Sequence, residues 1–486
     1  MKIFQCSLRA LCVSAVFLSV QSASHASERL ALEVRETAGI RRFGYPVAAE
    51  LKHPAAVPAT TNYRLLQNDK PIAAQFRPIE REGDRVKTVA LDFDASFLPN
   101  ESREYIVEFG PDVPAGSEPD RGMKVDETDE SFVVSHGPNL TWTIPKDLRG
   151  LLRSVKTPKT DYMRPDSAGL FIRTADDTLV RVGDAARNDP PLSARIVKQG
   201  PIDCMLRFDG NVALRDNRVV PSVVELEFPR SKSWVRATWT VDDSDSDVAK
   251  LGADLNLNLT GEPTMVDFGA GSLVYATLAR GQAVRLRAGL GPVITISGRE
   301  LPQKPFWHVH RGPTGMLEPY AFSPNPNSHY AEGWAHVMDR ERCTAVALAE
   351  FARHSYDQFE VAADGRFQLW RDFVVKDKKP RAGPKSLTFW IHFVPFPPHV
   401  GAVTSPQSMQ SPLQVMWQTG SDKPDQETTG ACGDGADEKH VQPRRHRGRD
   451  ARKTRAAAAL TTHKSAGLAL ARGLRLDELP GDLARH

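Results

Sequence analysis

The chain has 486 residues, 40% of them hydrophobic and 25% charged, with a mean hydropathy of −0.39 and a formal net charge of +3. It is long enough for two or three domains, each with its own core. The charge is unevenly spread: residues 441–486 hold 11 Lys/Arg against 4 Asp/Glu, so the remainder is slightly acidic, which argues against nucleic-acid binding by the folded part.

Residues 1–27 read as a signal peptide. Lys2 and Arg9 precede the apolar run LCVSAVFLSV (Leu11–Val20), and Ser24-His25-Ala26 supplies small residues for cleavage. The run is shorter than the ~20 residues a membrane anchor needs. The expectation is a secreted or periplasmic protein without an anchor. Cys6 and Cys12 fall in this segment, leaving Cys204, Cys343 and Cys432. With no CxxC pair, a zinc ribbon or redox dithiol is unsupported; a Cys204–Cys343 disulfide and two buried thiols both stay open.

From Glu28 to Trp417 the pattern is that of strands. In SREYIVEFG, Tyr105, Val107 and Phe109 share one face; SWVRATWTV sets Val235, Ala237, Trp239 and Val241 against Trp234, Arg236, Thr238 and Thr240; SLTFWIHFV aligns Leu387, Phe389, Ile391 and Phe393. This period of two marks half-buried antiparallel strands, and turn clusters such as QND, AADG and DDSDSD separate them. The segment PDVPAGSEPDRGMKVDETDE reads as a linker. The predicted fold is all-β: a small N-terminal β-barrel (28–111), a linker (112–130), a large antiparallel β-sandwich (131–420), and a disordered basic tail (421–486).

Motifs for common chemistries are missing: there is no G-x-S-x-G elbow, P-loop, GxGxxG or HExxH. Asp243, Asp245, Asp247 and Asp254 have the spacing of a calcium loop, but Val248 replaces its glycine and Asp254 its glutamate, so an acidic β-turn is favoured. His308 and His310 point the same way on a strand and are candidate metal ligands, with His329, His336 or Glu318 as a third donor. The segment SHYAEGWAHVMD is the richest. On a strand, Tyr330, Glu332, Trp334 and His336 share one face, which suits sugar stacking and hydroxyl binding, or alternatively a plug at the mouth of the sandwich.

ETAGIRRFGYPVAAEL (Glu36–Leu51), FLPNESREYIVEFG (Phe97–Gly110), SHYAEGWAHVMDRERCTAVALAEFARHSYDQFEV (Ser328–Val361) and GPKSLTFWIHFVPFPPHVGAVTSPQSMQSPLQVMW (Gly383–Trp417) resemble the exo-acting rhamnogalacturonan lyase family over residues 28–417. The resemblance implies a barrel, a β-sandwich and an α/α toroid, and the short polar stretch after Trp417 has no room for the toroid. It also implies β-elimination at a uronic acid of a pectin-like polysaccharide, with the carboxylate neutralised, a base at C5 and an acid at the leaving oxygen. The residue types that suit these roles are His329, Tyr330, His336 and Arg311 as catalytic groups and Glu332, Trp334, Tyr320 and Glu318 as substrate-binding groups. No cofactor is expected, a divalent cation at His308 and His310 being the open exception. A non-catalytic carbohydrate-binding remnant and a metal-dependent hydrolase are the competing expectations.

Overall fold

The computed structural model describes residues 27–418, apart from 137–139, 185–191, 215–217, 260–261, 271–272, 291–293, 302–303, 323–329, 354–355, 375–379 and 395–404. The expected signal peptide (all but Ser27), His329, Cys432 and the basic tail lie outside the described residues. The all-β expectation holds. The described elements are antiparallel strands with one short helix, Pro406–Gln410.

Two large sheets make the body. The eight-stranded sheet runs, in spatial order, through Leu179–Arg181, Gly169–Thr174, Val248–Asn256, Arg366–Asp372, Tyr356–Ala362, Gln282–Leu290, Pro305–Pro313 and Glu318–Phe322. The nine-stranded sheet runs through Ser193–Lys198, Asp203–Ala213, Val219–Pro229, Trp234–Asp243, Gly383–Val394, Cys343–Leu348, Trp334–Met338, Thr264–Gly269 and Leu273–Leu278. Alternation delivers one face of each to a shared core. Leu251, Leu286, Phe359 and Leu369 come from the first sheet, and Leu226, Ala237, Val346 and Phe389 from the second. A four-stranded sheet (Met123–Glu127, Ser131–His136, Leu140–Pro145, Ser154–Lys156) adds Phe132, Trp142 and Ile144 to that core. Its first strand occupies part of the span expected to be a linker.

The N-terminal unit is two open sheets rather than a closed barrel. One is five-stranded, with Gln414–Gln418 returning from the far end of the chain to pair with Glu28–Arg35; the other comprises Arg42–Pro58, Ala74–Glu82 and Arg85–Phe97. Closure would need hydrogen bonds continuing from one sheet to the other. Here the sheets instead share an apolar core that includes Leu32 and Val107 from one and Leu91 and Phe93 from the other.

This unit sits on the outer face of the nine-stranded sheet. Trp234, Trp390, Ala345 and Ala347 join Tyr45, Val47 and Met409 in a second core, with the Tyr45 and Trp234 rings 5.9 Å apart. Polar ties reinforce the seam: Arg42 binds Glu36 at 3.0 Å and the Ser408 carbonyl at 2.7 Å, and Lys198 bridges to Asp92 at 3.0 Å and Glu227 at 3.3 Å. The nine-stranded sheet is therefore covered on both sides. The eight-stranded sheet turns its second face outward.

Candidate functional site

The candidates drawn from the sequence do not assemble in one place. Tyr330 and Glu332 precede the strand Trp334–Met338, and Gly333 takes a φ of +76°, so the two-residue period breaks between them and Trp334. A Cβ at Gly333 would lie 2.1 Å from that of Phe351, which leaves no room for the regular strand the alternation implied. Tyr330 is 44% exposed, with the Arg353 guanidinium 5.9 Å from its ring. Glu332 accepts hydrogen bonds from Trp334 Nε1 at 2.7 Å and Gln407 Nε2 at 2.8 Å. Trp334 covers Gly269 and packs against the second core; His336 lies against it at 5.0 Å and stands 3.7 Å from Asp267. These side chains form a seam rather than a hollow.

Arg311, Glu318 and Tyr320 belong to the other sheet. Arg311 donates to the Thr277 carbonyl, lies 5.5 Å from the Tyr320 ring centre, and so ties the edges of the two large sheets together. Tyr320 donates to the Tyr275 carbonyl at 3.2 Å, and Glu318 is exposed. The aspartates of the calcium-like spacing also diverge. Asp243 caps the turn by accepting from the Asp247 and Val248 amides and binds Lys385, whereas Asp254 lies on the eight-stranded sheet. Cys204 and Cys343 are free thiols; burial pushes Cys343 up to about 12.

The outer face of the eight-stranded sheet does gather chemistry. Register places Asp254, Gln368, Glu360, Arg285 and His310 in a single row across neighbouring strands. The adjacent row on the same face holds Arg181, Phe171, Gly252, Trp370, Gln358, Arg287, His308 and Phe322. Because side chains alternate, the intervening residues of these strands (Leu251, Phe359, Leu369, Leu286, Val309) are the core set. The polar face is the obligatory complement of a well-packed interior, but its composition is not that of a solvated surface.

Opposite charges stand directly across strands. Arg285 holds Glu360 through two guanidinium nitrogens at 2.6 and 2.8 Å, with Arg366 at 3.8 Å on the other oxygen. Asp254 accepts from Gln368 Nε2 at 2.9 Å and Arg181 Nη2 at 3.3 Å. Gly252 makes an aromatic floor possible: a Cβ there would lie 2.3 Å from the Phe171 ring, which fills the space beside Trp370. Three side-chain atoms of this face, Trp370 Nε1, Arg181 Nη1 and Asn256 Oδ1, are sealed from solvent without a hydrogen-bond partner among the described residues. Burial lowers the His310 pKa, and His308, Arg285 and Arg287 push it the same way. The His308 and His310 rings are 6.3 Å apart, and among the described residues no group of three or more His, Cys, Asp or Glu converges as metal ligands would.

Sequence reasoning picked His308 and His310 from this face as metal-ligand candidates and Asp254 only as part of a calcium-like spacing, and missed the rest. The signal was present in YDQFEVA, RFQLWRD and QAVRLRAGL, where alternate positions carry Tyr, Gln and Glu, then Arg, Gln, Trp and Asp, then Arg and Arg. What a sequence does not give is the order in which these strands stand side by side.

No family model matches the chain, and no curated protein does. Among solved structures, it is similar to an α-mannosidase from Enterococcus faecalis V583 (10% identity, TM-score 0.47, covering 80% of this chain and 46% of that one). It is similar also to a glycosyl hydrolase family 38 protein from Enterococcus faecalis (10%, 0.49, 80% and 47%). A third is a galactose mutarotase-like protein from Clostridium acetobutylicum (8%, 0.32, 57% and 99%). The chain spans less than half the length of the two Enterococcus proteins. These findings correct the expected kinship: the three solved structures named here are not rhamnogalacturonan lyases, and the expectation of pectin cleavage by β-elimination falls with it. What stands is the antiparallel β-sandwich itself.

Proposed function

We propose that the outer face of the eight-stranded sheet binds a carbohydrate. The observation that carries this reading is the pairing, on a face of the large sandwich that no other described element covers, of an aromatic floor with a row of charged and amide side chains. Sugars present apolar C–H faces and a rim of hydroxyls. Trp370 and Phe171 supply the apolar contact, while Glu360, Gln368, Asp254 and Arg285 supply acceptors and donors at fixed strand spacing.

The pre-formed sheet makes the binding inexpensive in entropy, since strands hold these side chains better than loops do. A sugar seated here should quench or shift Trp370 fluorescence. The test is calorimetric titration with a panel of mono- and oligosaccharides, followed by Trp370→Ala. Saturable binding that weakens about tenfold or more in the variant is expected, about 1.4 kcal/mol. A panel without saturable binding, or a variant that binds equally well, would remove the proposal.

A further inference from the structure

We infer that the sugar taken by this face carries an anionic oxygen group, and that Arg287 receives it. The inference rests on the carbohydrate reading above and adds the ligand's charge.

The argument is a charge inventory of one sheet face. Its carboxylates are already matched: Glu360 by Arg285 and Arg366, Asp254 by Arg181, and Asp372 by Lys250 at 3.5 Å. Arg173, at the margin, pairs with Asp177 at 3.0 Å. Arg287 pairs with no carboxylate among the described residues. It is exposed, its guanidinium carbon lies 5.2 Å from the Tyr356 ring centre, and His308 stands directly across the strand from it. Phe306 packs edge-on against His308 at 5.1 Å and lies 6.0 Å from Tyr356. The cation thus rests over one ring, with His308 across the strand and Phe306 packed behind both rings, a setting that orients the guanidinium while leaving it open to a ligand.

A guanidinium held this way offers a planar fork of N–H donors to a carboxylate, sulfate or phosphate oxygen pair. The imidazole of His308 adds a further donor beside it. Arg287 is opposite Gln358, which is opposite Trp370, so the cation lies in the same row as the aromatic floor and two strands away. Strands are about 4.8 Å apart, giving a span of roughly 10 Å from Trp370 to Arg287. A hexose stacked on the indole and substituted at its far end covers most of that distance, and a disaccharide covers all of it.

The test uses the full chain and compares glucose, glucuronate, glucose 6-phosphate, glucose 6-sulfate and inorganic phosphate by calorimetry at low and high NaCl. At least one anionic sugar should bind tenfold or more tightly than glucose, an advantage that shrinks in high salt. Which of the three leads identifies the anion. Arg287→Gln should erase the advantage. Equal affinity for glucose and all three anionic sugars would overturn the inference while leaving the carbohydrate reading intact. An anionic preference that persists in Arg287→Gln would overturn the assignment to this residue, and inorganic phosphate matching the sugar phosphate would reduce the site to a bare anion contact. Failure of every sugar to bind would overturn both readings.

Discussion

The outer face of the nine-stranded sheet carries Trp234, Trp390, Ala345 and Ala347, and the outer face of the eight-stranded sheet carries Trp370, Arg285, Glu360 and His310. Both sheets obey the same alternation and feed the same interior. The difference lies in what each second face meets. The first is apolar because another unit lies on it, and ion pairs such as Arg42–Glu36 and Lys198–Asp92 are enclosed there. The second is charged and aromatic, and nothing among the described residues covers it. Covered polar groups here serve stability; uncovered ones are available for recognition.

That contrast can be broken most severely at the covered seam. Glu36 and Arg42 are almost wholly enclosed, their side chains 0% and 1% exposed, and Glu36 also accepts the amides of Ala38, Ile40 and Asn100. Glu36→Gln leaves the guanidinium of Arg42 buried without its counter-charge, which costs about 3–5 kcal/mol. Urea unfolding should show that loss, while sugar affinity measured on the remaining folded protein stays unchanged. A loss under 1 kcal/mol would mean that the seam is not sealed as described.

A half-buried histidine gives the next largest effect. Burial lowers the pKa of His136 to about 4, and its Nε2 has no partner among the described residues. Between that value and the ordinary ~6.5 the unfolded chain carries the extra proton. Stability is therefore full above pH 6.5 and falls as pH drops toward 4, by up to about 3 kcal/mol. His136→Gln should flatten the acid limb of a stability–pH curve in this window. If the two curves run parallel, His136 is not held neutral.

On the open face the contrast sharpens at Gly252. An alanine there would place its Cβ 2.3 Å from Phe171 and 2.6 Å from the Leu369 carbonyl, so the ring must leave its place beside Trp370. The expected cost is about 1–3 kcal/mol in stability, with a loss of sugar affinity that the seam variant does not show. Undiminished binding in Gly252→Ala would separate the Phe171 ring from recognition.

The two faces also differ in how far the sequence foretells them. The all-β class, the core residues of 234–241 and 387–393 and the long sandwich follow from period-two alternation, which is local. The candidate segment 330–336 failed for a local reason of another kind: one glycine with positive φ uncouples Tyr330 and Glu332 from the strand that follows. The row from Asp254 to His310 is non-local: Asp254 and Gln368 stand side by side although 114 residues separate them, and Arg285 and Glu360 although 75 do, so only register brings it together. Composition could flag each strand as unusually rich in Arg, Gln and aromatic residues; it could not show that they line one surface.

The smallest effect comes from His310 and tests the open face by its charge alone. Desolvation, then the neighbouring His308, Arg285 and Arg287, keep its pKa below the ordinary value, so the ring is neutral near pH 7 and gains its proton only in more acidic solution. Each added positive charge on a face that already holds an unmatched Arg287 favours an anionic ligand and leaves a neutral one unaffected. Affinity for an anionic sugar should rise a few-fold as pH falls below 6.5, the ligand itself staying ionised, and His310→Gln should reduce that rise. A neutral sugar showing the same pH dependence would point instead to a histidine that contacts hydroxyls directly, and the face would then recognise the sugar by hydrogen bonding rather than by charge.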